Sequence, residues 1–293
     1  MADATRLPAI VNHAAGTAAA AREALDASGA FDVHEVAPAE ISRTVQELVR
    51  GGAKRILVAG GDGTIATAAS ALLGSETELA ILPGGTLNHF ARDLGISTVA
   101  AEAVELAVRP QTRKVDVGVV NGRVFLNTSS VGGYVRYVRT RERLERHLGY
   151  SFASLLAGVR MMTSVRRMGV EIEVDGRARI FRTPLVFIGV GERELQFPVL
   201  GKRVPDGRSG LHVMIVKGRS RLRLVLIGAT AILRGLDAVS RTGHFDDIIT
   251  DRLRITMKGE GWVAVDGEVV LLRTPLDYEL CSGALSVVCP PPS

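Results

Sequence analysis

Between residues 7 and 110 short apolar runs alternate with stretches of helical periodicity, the pattern of successive βαβ units, and this alternation constrains the fold more than any other feature. Residues 7–11, 31–36, 55–59 and 79–82 read as strands. Residues 17–28, 39–50, 65–73, 88–94 and 99–108 read as helices, the second with Ile41, Val45, Leu48 and Val49 on one face. A parallel sheet covered by helices is the expected result. Past residue 112 the texture becomes strand and hairpin, with Asn121-Gly122 and Asp175-Gly176 between alternating runs as two-residue turns. A second, mostly antiparallel domain is therefore expected, with helices over 134–165 in two pieces and over 221–236.

Glycine turns follow two of the four parallel strands. Gly60-Gly61-Asp62-Gly63-Thr64 lies directly after the third strand and before a helix. Closely spaced glycines let backbone turn tightly and approach an anion, and a helix N-terminus offers free N–H groups and a positive dipole end. Asp62 selects the kind of phosphate site, because a bare carboxylate about 4 Å from a phosphate costs on the order of 4 kcal/mol at an effective dielectric near 20. A bridging cation, most simply Mg²⁺, removes that conflict. The same residues also fit a dinucleotide fingerprint, Gly61-x-Gly63-x-x-Ala66. Such fingerprints open the first βαβ unit and carry no acid between the glycines, whereas this turn follows the third strand.

After the fourth strand comes Pro83-Gly84-Gly85-Thr86-Leu87-Asn88-His89-Phe90-Ala91-Arg92, a second glycine turn feeding a helix. Neighbouring strand ends would set the two cradles side by side at the carboxyl edge of the sheet. Thr86 and Asn88 can bond phosphate, ribose or base, and Asn88 can equally cap a helix. Far along the chain, Val265-Asp266-Gly267-Glu268 has two acids flanking a glycine. Taken alone this is a hairpin turn, since Asp175-Gly176 has the same form without the second acid. Directed at a phosphate site, the pair would provide one carboxylate to receive a hydroxyl proton and another to hold metal or water.

These three elements, with Pro275-Leu276 and Gly283-Ala284-Leu285 after them, resemble the diacylglycerol kinase catalytic family, which includes bacterial lipid kinases and sphingoid-base kinases. The resemblance runs over nearly the whole chain, and its most specific part is the Thr86-x-Asn88-x-Phe90-Ala91-Arg92 run. It implies an α/β fold: a Rossmann-like ATP-binding domain over residues 1–112, joined by the returning segment 284–293, and an antiparallel β-sandwich acceptor domain over 113–283. It also implies an ATP-dependent lipid kinase in which Asn12, Gly60, Gly61, Gly63, Thr64, Gly84, Gly85, Thr86 and Asn88 hold nucleotide. Asp62 and Glu268 would belong to the metal network, and Asp62, Asp266 and Glu268 to the catalytic set, Asp266 as the base. Asn12-His13-Ala14-Ala15-Gly16 keeps the asparagine and glycine of the family's Asn-Pro-x-x-Gly but not its proline, and Val190 stands where bacterial relatives often carry asparagine.

The net charge of +5 and a pI near 9.5 favour polyanionic partners. Eight arginines against two glutamates fall between Tyr134 and Met168, so this segment exceeds the charge of the whole chain. Around Tyr150–Val159 the pattern is of a helix with an apolar face, which reads first as a solvated charged helix packed on a domain and second as a peripheral contact with anionic lipid. No nucleic-acid reader motif accompanies the arginines, so no nucleic-acid partner is expected. The start of the chain lacks a signal-peptide core, and the longest uncharged apolar run, 224–233, is too short to cross a bilayer. Cys281 and Cys289 lack a zinc-site pattern and suit a reducing compartment. The expected location is therefore cytoplasmic and peripheral to the membrane, and a homodimer is left open. Two other functions remain: a non-catalytic nucleotide- or lipid-binding regulator, and an NAD kinase-like phosphotransferase, disfavoured by the Thr86–Arg92 run.

Overall fold

The structure, a computed structural model, describes residues 6–148, 156, 167–195, 200–204, 206–216, 245–259 and 261–291. The second half of the helical stretch expected over 134–165 and the helix expected over 221–236 fall outside these residues. Two compact units divide the chain, one of Met1–Val117 with Cys281–Ser293, the other of Gly118–Leu280. Strands and helices make it an α/β protein with a mixed sheet and an antiparallel one.

In the first unit β1 (Leu7–Asn12), α1 (Ala18–Ser28), β2 (Phe31–Val36), α2 (Ile41–Arg50), β3 (Arg55–Gly60), α3 (Asp62–Leu72) and β4 (Glu78–Pro83) alternate strictly. The short α4 (His89–Asp93), then α5 (Ala100–Ala107) and β5 (Thr112–Val120), follow. The strands are parallel in the order β2-β1-β3-β4, as the alternation requires of sequential crossovers. Ile56, Leu57 and Val58 of β3 are fully buried, and so are Leu79 and Ala80 of β4. The helices cover them with one face each, Ile41 and Val45 of α2, and Ile65, Ala68, Ala69 and Leu72 of α3. Each large aliphatic side chain so enclosed contributes about 1.5–3 kcal/mol. Gly29 ends α1 in the left-handed conformation at φ 64°, its N–H bonding Asp26 O.

One buried cation sets the bottom of this sheet. Arg55 donates to Glu78 across the β3–β4 pair at 2.7 Å and to the carbonyls of Ala107 and Arg109, both at 2.7 Å. Its side chain is 11% exposed, so the pair sits in reduced dielectric, and the two carbonyls tie the end of α5 to the strand starts. Register then carries the opposite strand ends to a common edge: Val11 lies against Ala59, and Gly60 against Pro83.

The second unit begins within β5. It holds β6 (Arg123–Phe125), β7 (Thr128–Gly132), α6 (Gly133–Leu148), β8 (Met168–Val174), β9 (Arg177–Thr183), β10 (Leu185–Val190), β11 (Arg193–Leu195) and β12 (Leu200–Arg203). After them come β13 (Leu211–Val216), β14 (Phe245–Thr250), β15 (Arg252–Met257), β16 (Gly261–Val265), β17 (Glu268–Leu272) and β18 (Leu276–Val288). One antiparallel set runs β14-β13-β10-β7-β16-β17, and another runs from β18 through β15 and β8 to β9. Both sets feed a single apolar cluster, Val131, Val186, Ile188, Val213 and Val263 from the first with Ile172, Ile255, Leu276 and Tyr278 from the second. Phe125 joins it edge-on to Tyr278, ring centroids 6.1 Å apart.

The chain leaves the second unit within β18, whose 13 residues pair antiparallel with β15 at Leu276–Glu279 and parallel with β4 at Val287. Ser282 and Gly283 interrupt the apolar pattern of this strand. Asp116 bridges the interruption, accepting Gly283 N–H at 2.9 Å and Ser282 Oγ–H at 3.1 Å. The asparagine-glycine and aspartate-glycine hairpins fold as expected, with positive φ at both turn residues: 47° and 81° at 121–122, 51° and 72° at 175–176.

Phe125→Ala should lower unfolding free energy by about 3–5 kcal/mol, because it empties a fully enclosed ring site. Urea denaturation checks this, and a loss under 1 kcal/mol would mean that the cluster collapses into the space.

Candidate active site

The two glycine turns are locked to each other by backbone. Gly84 N–H donates to Gly60 O at 2.8 Å, and the turns touch so closely that a Cβ on Gly85 would stand 2.7 Å from Gly61 Cα. A Cβ on Gly60 would meet the Thr64 side chain at 2.6 Å. Glycine at 60, 84 and 85 is therefore demanded by packing between the turns as well as by any approaching ligand. Thr17 Oγ–H bonds Gly84 O at 2.9 Å from the start of α1, so the loop after β1 joins the same assembly.

Each side chain here has a defined task. Asn12, buried at the end of β1, donates Nδ2–H to Thr64 Oγ1 at 2.9 Å and accepts Ala14 N–H at 3.0 Å. Asn88 sits in the left-handed region at φ 49° and clamps the second turn from inside, accepting Gly85 N–H at 2.8 Å and donating to Gly85 O at 2.7 Å. Asp62 opens α3 and accepts Phe90 N–H at 3.3 Å, thereby capping the neighbouring short α4. Gly61 precedes α3 in extended conformation with no side chain bonded over the helix end. Eleven residues of helix thus point their N-terminal amides at this corner, where an anion is favoured. Gly63 lies in the first turn of α3, and Thr86 is exposed on the second glycine turn.

Of the residues singled out from sequence, Asn12, Gly60, Gly61, Asp62, Thr64, Gly84, Gly85 and Asn88 come together in the first unit. Asn12, Thr64 and Asn88 act on protein atoms, shaping the cradle rather than offering loose donors. Thr17 belongs with them and was missed. Its only signal was a hydroxyl next to Gly16, a pairing too common to single out.

Asp266 and Glu268 belong to the second unit. Asp266 turns at φ 45°, followed by Gly267 at 86°, the same hairpin form as Asp175-Gly176. The difference lies in the side chain. Asp175 is exposed, whereas the half-buried Asp266 carboxylate accepts three consecutive amides, Leu126 at 2.7 Å and Asn127 and Thr128 at 2.9 Å. Its own N–H bonds Thr128 O at 2.8 Å, so the turn and the start of β7 form one rigid piece. Glu268 pairs with Arg123 at 2.8 Å and is 58% exposed, a surface ion pair of about 0–1 kcal/mol.

A polar cluster that the sequence did not flag adjoins the Asp266 piece through Asn127. Val190 N–H bonds Asn127 O, Arg193 Nε–H bonds Val190 O, and Arg193 N–H bonds His212 Nδ1, each at 3.0 Å. Asn127, Arg193 and His212 are all buried, and Asn127 Oδ1 lacks a hydrogen-bond partner among the described residues. Burial pushes the His212 imidazole below its usual range, against the opposing pull of Asp247 and Glu192. Glu192 is itself held below the carboxylate range by its bonds to Arg208.

A parallel sheet with two interlocked glycine turns at its carboxyl edge is the arrangement in which α/β proteins commonly bind phosphate. Residues 6–120 match the family model described as the diacylglycerol kinase catalytic domain. A diacylglycerol kinase of Staphylococcus carnosus (strain TM300) is 30% identical over 173 residues, 57% of this chain and 55% of the relative. One from Bacillus subtilis (strain 168) is 29% identical over 231 residues, 74% of each chain. The match thus spans just over half the length of the staphylococcal relative. A crystal structure of a candidate diacylglycerol kinase from Bacillus anthracis str. Sterne superposes with a TM-score of 0.73 at 25% identity, covering 98% of this chain and 97% of that one.

Gly85→Ala should weaken ATP binding about tenfold or more, because the new methyl separates the two turns. Gly169→Ala, with open space around it, should leave binding unchanged in the same calorimetric titration.

His212 carries a pH prediction. Its folded pKa is depressed, so below about pH 6.5 the unfolded chain binds the extra proton first, and stability falls as pH drops through that value. Urea midpoints taken between pH 7.5 and pH 5 should decline, and His212→Gln should flatten that decline.

Proposed function

We propose that the protein transfers the γ-phosphoryl group of ATP to a hydroxyl of a lipid alcohol, diacylglycerol-like acceptors first among them. The observation that carries this reading is the locked pair of glycine turns, held within the segment that matches the catalytic family. In it the first unit is a Rossmann-like nucleotide domain and the second a β-sandwich that receives the acceptor.

The triphosphate is bound by the backbone amides at the start of α3 and by the turn at Gly84-Gly85. Thr64 and Asn12 keep the first turn in register, and Asn88 keeps the second. No group of three or more His, Cys, Asp or Glu side chains gathers as a metal cage among the described residues. Mg²⁺ needs only one or two carboxylates when phosphates and waters complete its shell, so Asp62 at the phosphate corner fits it. Asp62 would hold the ion there, and the bound cation would neutralise charge between carboxylate and phosphate oxygens. Glu268 would join with Oε1, since Arg123 bonds its other oxygen, Oε2. Asp266 is the proposed acceptor of the hydroxyl proton, its carboxylate fixed in orientation by three amides.

The acceptor implies a membrane. Arg136, Arg139 and Arg143 are exposed at i, i+3 and i+7 on α6, one basic stripe, and Arg139 stacks over Trp262 at 4.7 Å. They support a peripheral, cytoplasmic enzyme resting on anionic lipid. Among the described residues no helix is long and apolar enough to cross a bilayer.

A second reading, a nucleotide- or lipid-binding regulator without turnover, draws support from the engagement of both second-unit acids with protein partners. Labelled ATP, Mg²⁺ and a panel of diacylglycerol, monoacylglycerol, sphingoid base and NAD distinguish the readings. Labelled phospholipid is expected, and Asp62→Asn should cut its rate about 100-fold. ATP binding with no transfer to any acceptor would favour the regulator, and transfer to NAD alone an NAD kinase-like activity.

A further inference from the structure

Two buried side-chain oxygens of the second unit, Asn127 Oδ1 and Ser130 Oγ, have no hydrogen-bond partner among the described residues. A buried polar atom left unpaired is costly, and native structures keep few of them. The two differ in what surrounds them. Ser130 lies across from Phe187 of β10 and Ala264 of β16, both buried, and Ala264 packs with Val135 and Val138 of α6. Apolar groups thus flank it. Asn127 stands instead beside the Asp266 carboxylate.

The backbone of Asn127 is committed on both sides. Its N–H donates to Asp266 Oδ1 at 2.9 Å, between the Leu126 and Thr128 amides that bond the same carboxylate, and its carbonyl accepts Val190 N–H at 3.0 Å. Arg193 Nε–H in turn holds Val190 O. The residue is 5% exposed, so its amide oxygen has no bulk water to bond. The covalent reach of an asparagine side chain keeps Oδ1 within about 8 Å of the Asp266 carboxylate.

In the proposed reaction Asp266 takes the proton of the acceptor hydroxyl, and that hydroxyl's oxygen forms the bond to the γ-phosphorus as ADP leaves. The atoms next to the reacting hydroxyl then lie near the carboxylate too. A second donor on the neighbouring carbon, with a hydrogen bond of about 2.8 Å at each end, spans a gap of the size that separates Asp266 from Asn127 Oδ1.

We propose that Asn127 is a specificity-determining residue, whose Oδ1 accepts a hydrogen bond from a second donor beside the reacting hydroxyl of the acceptor. The assignment rests on the phosphoryl-transfer reading and ranks its acceptors. Monoacylglycerols, which are diacylglycerol-like and keep a free hydroxyl next to the reacting one, are the favoured class, and the amine of a sphingoid base offers the same chemistry. A diacylglycerol presents ester oxygens at that carbon, acceptors against an acceptor, and leaves Oδ1 unpaired. A site built to receive a donor discriminates most strongly against the analogue that lacks it.

Initial rates with ATP, Mg²⁺ and three acceptors in mixed micelles test this: a monoacylglycerol acylated at an end carbon, the analogue that lacks its middle hydroxyl (a monoacyl propanediol), and a sphingoid base. Loss of the middle hydroxyl is expected to lower kcat/KM about tenfold or more in the parent protein. Asn127→Leu should erase that ratio while leaving ATP binding unchanged in calorimetry, and Ser130→Ala, which removes the other unpaired oxygen, should preserve it. Faster turnover of the sphingoid base than of the monoacylglycerol would make an amine the preferred donor to the same oxygen. The parent comparison needs no variant, so it holds even where Asn127→Leu fails to fold. Equal kcat/KM for the monoacylglycerol and its analogue would overturn the assignment and leave phosphoryl transfer standing, whereas transfer to none of the acceptors would overturn both.

Discussion

One backbone hydrogen bond, Gly84 N–H to Gly60 O, holds together the part of this molecule on which the proposed phosphoryl transfer depends. It can form only because two strand ends lie in register and because no side chain keeps the turns apart. Everything nearby serves that contact. Asn12 steadies Thr64, Thr17 pulls on Gly84, Asn88 clamps Gly85, and Asp62 caps the short helix after the second turn. Several polar side chains are thus used on the cradle's own frame, leaving backbone amides to face the anion. Such preorganised donors do not have to reorganise when charge arrives, which is where an electrostatic site gains most.

The acids divide along similar lines. In the proposed function Asp62 lies beside the triphosphate, where its negative charge is useful only with a cation between them. Asp266 is oriented by the amides of 126–128, so a carboxylate and a strand start move as one body. The buried run from Asn127 through Val190 and Arg193 to His212 continues that body across the sheet, and links its stability to pH through an imidazole held neutral by burial.

Much of this was legible in the residues. The βαβ alternation predicted that β1 to β4 lie parallel, though not their order, and the glycine turns announced themselves by following strands and preceding helices. The hairpins at 121–122 and 175–176 were readable because type I′ turns demand left-handed residues. Local pattern could not distinguish Asp266 from Asp175, since the three amides that make the difference lie some 140 positions away in sequence. The same holds for Arg55, whose partners Glu78 and Ala107 are brought near only by the sheet, and for β18, whose polar interruption is satisfied by Asp116. Sequence periodicity records which face a residue occupies. It does not record which distant group will complete its hydrogen bonds.

The central claim is that nucleotide phosphates settle on the amides of the two glycine turns. Hydrogen–deuterium exchange with and without an ATP analogue and Mg²⁺ reads those amides directly. Slowed exchange confined to residues 60–66 and 84–90 is the predicted result. Exchange that is unchanged in both turns under saturating nucleotide, or protected only elsewhere in the chain, would contradict it.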